Sequence, residues 1–167
     1  MPITLVVIFA VAALLIFKGP SKKEIAQNEK AAVAALKALY AGLDKYKKDN
    51  LFYPTTLSSL GLGLLSTQYL EDANIVMDEY PVGPTGLFMY SYNGYWYLYQ
   101  PADDRNKPMP MNYKDPSNAK ISRYIITAFP TKPNRTGVRR FKMSQDGKMF
   151  IEQFEEGKPP QLIPYVE

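Results

Sequence analysis

The densest group of side chains able to do chemistry is aromatic: Tyr90, Tyr92, Tyr95, Trp96, Tyr97 and Tyr99. Phenols and an indole gathered this closely can stack on sugars or bases, or pass electrons. The same residue types also suit a half-buried strand, where aromatics pair with their cross-strand neighbours. A second group is basic: Arg135, Arg139, Arg140, Lys142 and Lys148. Such a group can hold an anion, and alternating exposed charges on a strand face explain it equally well. Tyr95, Trp96, Arg139 and Arg140 are therefore the candidate surface-recognition residues. Asp103, Asp104 and Asp115 offer the carboxylate oxygens that calcium prefers. Their spacing matches no calcium loop, and solvated loop charges account for them.

Other chemistry is excluded by what is missing. The 167 residues include no His and no Cys. That removes the commonest general base, the Ser-His-Asp arrangement, thiol catalysis, disulfides and thiolate metal sites. No acid, base and nucleophile converge, so the sequence predicts a protein that is not an enzyme, with no catalytic residue, no cofactor and no metal. The net charge of +4 and pI near 9.1 allow weak attraction to anionic surfaces and indicate no specific nucleic-acid partner.

The aromatic group sits in a hairpin. LFMYSY and YWYLYQ flank Asn93-Gly94, and both turn residues tolerate the positive φ of a type I′ turn. Ser122 to Phe129 reads as a strand stopped by Pro130. Val138 to Ser144 and Lys148 to Phe154 read as a second hairpin around Gln145-Asp146-Gly147. Thr55 or Thr56 is placed to cap a short helix over Leu57 and Leu60, with Gly61 or Gly63 ending it. Leu64-Leu65 and Tyr69-Leu70 read as apolar anchors. Glu71 to Gly86 reads as irregular, Pro101 to Lys120 as a long surface loop, and Glu155 to Glu167 as a tail without regular structure.

Two unlike segments precede these strands. Ile3 to Phe17 is an uncharged apolar run. At about 1.5 Å per residue, positions 1 to 17 reach about 25 Å, against a hydrocarbon core of about 30 Å. Lys18 can snorkel to lengthen the effective span. Ile3, Leu5, Val7, Ile8, Val11, Leu14 and Leu15 are thus expected in a membrane or a lipid-like helical core. Lys18, Lys22 and Lys23 all follow the run, and the positive-inside rule taken alone places the soluble part in the cytoplasm. Gly19-Pro20 predicts a kink or break. From about Ser21 to Lys48 a helix follows, with an apolar stripe of Ile25, Ala32, Leu36, Leu39, Leu43 and Tyr46. Glu24, Lys30, Lys37, Asp44 and Lys48 lie opposite.

The expected division is residues 1–20 as membrane or filament-core helix, 21–50 as its amphipathic continuation, and 51–167 as a globular head. Helix followed by about five strands gives an α+β fold, a long N-terminal helix packed on an antiparallel sheet.

In order along the chain, these features resemble the type IV pilin and type II secretion pseudopilin superfamily. The apolar run with ITLVV, Pro20 and the alanine-rich helix resemble the pilin stalk. Tyr46, Tyr53-Pro54, Leu57 and Leu60 resemble the family's exit from that helix. Tyr69-Leu70, Tyr90 and Tyr92, the stretch Tyr124 to Pro130, then Gly137, Arg139, Phe141 and Asp146-Gly147 follow its sheet region. Where the family usually carries a glutamate near the processed N-terminus, this chain offers Leu5 or Val7, as in some tip-like pseudopilins. The resemblance implies a pilin-like fold and a structural filament subunit whose partners are itself, other pilin-like subunits, the inner membrane and the assembly machinery. It implies residence in the inner membrane before assembly, then in a cell-surface or periplasmic filament. The alternative is a membrane-anchored extracytoplasmic binding domain that does not polymerise.

Overall fold

Ser21 starts the long helix. Its backbone is extended, its hydroxyl accepts from the Glu24 N–H at 3.2 Å, and the Glu24 carboxylate accepts from the Ser21 N–H at 2.6 Å. This reciprocal box satisfies two donors that the first turn would otherwise leave open. The computed structural model describes residues 19–61, 69–70, 75, 77–82, 87–102, 121–155 and 157–166. Helix α1 (Lys22–Asn50) runs 29 residues and ends as Leu51 turns left-handed and donates its N–H to the Lys47 carbonyl at 2.7 Å. Gly19 and Pro20 precede the cap, outside the helix. Among the described residues no helix is long and apolar enough to cross a membrane. The apolar run, with Ile3, Leu5, Val7, Ile8, Val11, Leu14 and Leu15, lies outside the described residues, as do Leu64-Leu65 and the Asp103, Asp104 and Asp115 carboxylates.

The stripe on α1 faces inward as its period requires. Ala32, Leu36, Leu39 and Leu43 are buried, and Ile25 and Tyr46 are half-buried. Gly42 lies on the same side because Leu70 crosses it closely: a Cβ there would meet Leu70 Cδ2 at 2.8 Å and the Tyr69 carbonyl at 3.0 Å. A 3-10 turn, Leu57–Leu60, follows, with Thr56 extended at its start and Gly61 left-handed at its end. Thr56 contributes no side-chain cap.

One sheet covers the stripe. Its strands are β1 (Asp78–Val82), β2 (Leu87–Tyr92), β3 (Tyr95–Ala102), β4 (Arg123–Pro130), β5 (Arg140–Ser144), β6 (Met149–Gln153) and β7 (Gln161–Pro164). They lie in sequence order and every pair is antiparallel. The β2–β3 turn is the expected Asn93-Gly94, with φ of 47° and 76°. Alternation along β3, β4 and β5 sends Tyr95, Tyr97, Tyr99, Tyr124, Ile126, Ala128, Phe141 and Met143 into one core with the α1 leucines.

The observed α+β architecture departs from the expected one at both edges of the sheet. Among the described residues seven strands form, not about five. β1 arises inside the stretch read as irregular and contains Pro81, which an edge strand tolerates because one side of it needs no ladder bonds. β7 arises inside the expected tail, where Ile163 pairs with Ile151. Pro130 also belongs to β4 as its last residue, opposite Tyr95.

Candidate interaction surfaces

Strand alternation divides the aromatic cluster. Tyr90, Tyr95, Tyr97 and Tyr99 point into the core, and Trp96 points to the opposite face. Tyr95 is fully buried, which corrects its reading as a surface-recognition residue: it shares the inward period of Tyr97 and Tyr99. Its hydroxyl donates to the Arg139 carbonyl at 2.9 Å, and Tyr99 donates to the Pro54 carbonyl at 2.7 Å. Tyr90 shares a hydrogen bond of 3.2 Å with Ser58. Burial pushes the Tyr90 phenol up to about 12 and raises Tyr95, Tyr97, Tyr99 and Tyr124 further. Neutral, buried phenols serve as packing, and those of Tyr90, Tyr95 and Tyr99 also as hydrogen-bond partners, not as bases.

The two adjacent arginines also part company. Arg139 turns toward α1, where its Nε donates to Glu29 Oε2 at 2.6 Å. Glu29 Oε1 accepts from the N–H groups of Val138 and Arg139 at 2.9 and 3.0 Å. Burial opposes the Glu29 charge, but these donors and the guanidinium together outweigh it and hold the carboxyl below its ordinary value. Asn28, next on the helix, donates its side-chain N–H to the Thr136 carbonyl at 3.0 Å. These bonds clamp the β4–β5 turn to α1. The clamp was not among the residues singled out from sequence, although one signal pointed to it. The apolar stripe steps seven residues from Ile25 to Ala32, and Glu29 occupies the stripe position in that gap.

Arg140 lies on the outer face of the sheet. Its guanidinium stands 5.5 Å from the Phe129 ring and 4.6 Å from Phe154, and Nε is 3.3 Å from Glu152. Phe129 pairs with Trp96 across β3 and β4. Trp96 in turn meets Tyr80 edge-on at 5.1 Å. The outer face therefore carries a band running Tyr80, Trp96, Phe129, Arg140, Phe154. Of the four residues expected at a recognition surface, this band unites Trp96 and Arg140, while Tyr95 and Arg139 sit on the helix side.

A groove separates α1 from β6 and β7. It comprises a hollow of about 590 Å³ beside Tyr40, Met149 and Pro164, and one of about 350 Å³ beside Ala26, Val33 and Arg139. Lys37 and Tyr165 line both. Its walls are mainly apolar and aromatic with cationic rims, and Glu29, a carboxylate lining the smaller hollow, is engaged by Arg139; the arrangement can receive an apolar side chain. Among the described residues no group of three or more carboxylates is placed to hold a metal ion. Comparison with family models, with curated proteins and with solved structures returns no match.

Proposed function

We propose that the chain is a structural subunit of a pilin-like or pseudopilus filament. One observation carries this reading: a capped amphipathic helix of 29 residues begins at Lys22, five residues after the apolar run ends at Phe17, and a single antiparallel sheet covers only one of its stripes. A rod joined to a head in this way can stack its apolar segments into a common core while the heads face outward. The apolar run sits in the inner membrane before assembly and in the fibre core afterwards. The transfer costs little when neighbouring helices are as apolar as lipid. Its partners are further copies, other pilin-like subunits and the assembly machinery, and its final location is a cell-surface or periplasmic filament.

A charge placed in the core tests this reading. Lysine at the centre of an apolar helix costs about 2.5–3.5 kcal/mol, so Val7→Lys is expected to strip the protein from sheared fibres. Trp96→Ala, on the outer face, is expected to leave fibre content unchanged. Wild-type fibre content in Val7→Lys would rule out the packed apolar core. The outer-face band favours a second reading, a membrane-anchored binding domain. That reading gains if Trp96→Ala abolishes binding of a ligand and no variant affects a fibre.

A further inference from the structure

The charges at the start of α1 run against the helix's own electrostatics. Lys22 and Lys23 occupy the first turn, where aligned peptide dipoles favour acidic side chains, and only Glu24 is acidic there. Lys30 is exposed two turns further on. The β4–β5 turn, clamped beside this part of the helix through Asn28 and Glu29, adds exposed Lys132, Arg135 and Arg139. The Asn93-Gly94 turn closes the same end, since the Thr131 N–H donates to the Gly94 carbonyl at 2.9 Å.

Six cations thus meet two acids, Glu24 and Glu29, so the surplus at this end equals the +4 of the whole chain. Both acids are already engaged, Glu24 by the Ser21 cap and Glu29 under Arg139. Among the described residues no carboxylate pairs with Lys22, Lys23, Lys30, Lys132 or Arg135. This is also the end that follows the apolar run, with Lys18 between them.

We propose that this basic end of the head docks on an anionic lipid surface. The inference rests on reading the apolar run as a bilayer anchor. An anchor ending at Phe17 holds the start of α1 at headgroup depth, where lysines and arginines pair with lipid phosphates. Two lysines at an otherwise unfavourable helix position then have a compensating partner. Each basic residue near such a surface strengthens attachment about fivefold, and the attraction fades within a Debye length of about 8 Å at physiological salt. The head stands on its basic end, leaving the Trp96–Arg140 band clear of the bilayer until the subunit is drawn into a fibre.

The full chain, reconstituted into vesicles of phosphatidylcholine alone or mixed with phosphatidylglycerol, tests this. The chain has no cysteine of its own, so Pro133→Cys carries one environment-sensitive fluorophore in the exposed β4–β5 turn. Flotation with neutral vesicles reads the anchor. Quenching of the fluorophore by headgroup-labelled lipid reads docking. Docking predicts quenching in anionic vesicles, little in neutral ones, and loss at high salt. Lys132→Gln with Arg135→Gln is expected to weaken the anionic-lipid response about 25-fold with an unchanged melting curve. If that pair misfolds, the salt titration of the otherwise unaltered chain decides. Flotation with equal, weak quenching in both lipids overturns docking and leaves the anchor standing. Failure to float overturns both. A fluorophore that responds to duplex DNA and not to anionic vesicles overturns docking and assigns the patch to nucleic acid.

Discussion

Glu29 shows how a charge can occupy an apolar stripe. Three donors converge on its carboxylate, two of them backbone N–H groups that would otherwise lose their partner. Glu29→Ala removes the acceptor and is expected to cost on the order of 2–3 kcal/mol, read as a lower urea midpoint. The pH dependence follows from the lowered Glu29 pKa. The stabilisation is complete above the ordinary carboxylate value of the unfolded chain, and is lost as pH falls through the lowered folded value. Glu29→Gln should therefore flatten part of the acid limb of a stability profile; an unchanged acid limb would show that the carboxylate is not held by these donors. Gly137 supplies a second residue-scale test. A Cβ there would overlap the Tyr95 hydroxyl oxygen, itself bonded to the Arg139 carbonyl. Gly137→Ala is expected to destabilise by about 1–3 kcal/mol through overpacking, measured as a lower melting temperature.

At the scale of elements, local signals decided what was legible. The stripe of α1 and the Asn93-Gly94 hairpin were readable because a 3.6-residue period and a positive-φ pair are properties of short stretches. β1 and β7 were not: each pairs with the strand next to it in sequence, but Pro81 and Pro164 give both segments the composition of a loop. The split of Tyr95 from Trp96, and of Arg139 from Arg140, follows from alternation once a strand is assigned. Which side is inward depends on where α1 packs. The Glu29 clamp needs a partner 110 residues away, which spacing alone cannot supply.

The β7 edge yields its own prediction. The Tyr165 N–H donates to the Met149 carbonyl at 2.9 Å, and antiparallel alternation then turns the backbone groups of Leu162 and Pro164 away from β6. Pro164 has no N–H, so the exposed edge lacks a donor there, and Leu162 and Ile163 stand 46% and 42% exposed beside it. Proline on an apolar edge blocks pairing with a further strand. Pro164→Val should increase concentration-dependent self-association in sedimentation experiments. A variant as dispersed as the wild type would show that the edge is protected by other means.

For the whole molecule, α1 extends about 44 Å at 1.5 Å per residue, and the sheet is fixed along it by the leucine stripe and the Glu29 clamp. Helix and sheet therefore share one core. In the proposed filament, a pull on the start of α1 reaches the sheet through packed side chains and three charge-assisted hydrogen bonds. Such a coupling suits a subunit drawn out of a membrane by one end. The α+β class was legible from the order of segments, helix first and strands after. The proposed filament role rests on that order together with the apolar run. The most direct measurement is recovery of the wild-type protein from sheared surface fibres, compared with the membrane fraction and identified by intact mass and N-terminal sequence. The account predicts enrichment in the fibres together with a precursor pool in the membrane. Retention in membranes as a monomer, with none in the fibres of a cell that assembles them, would contradict it.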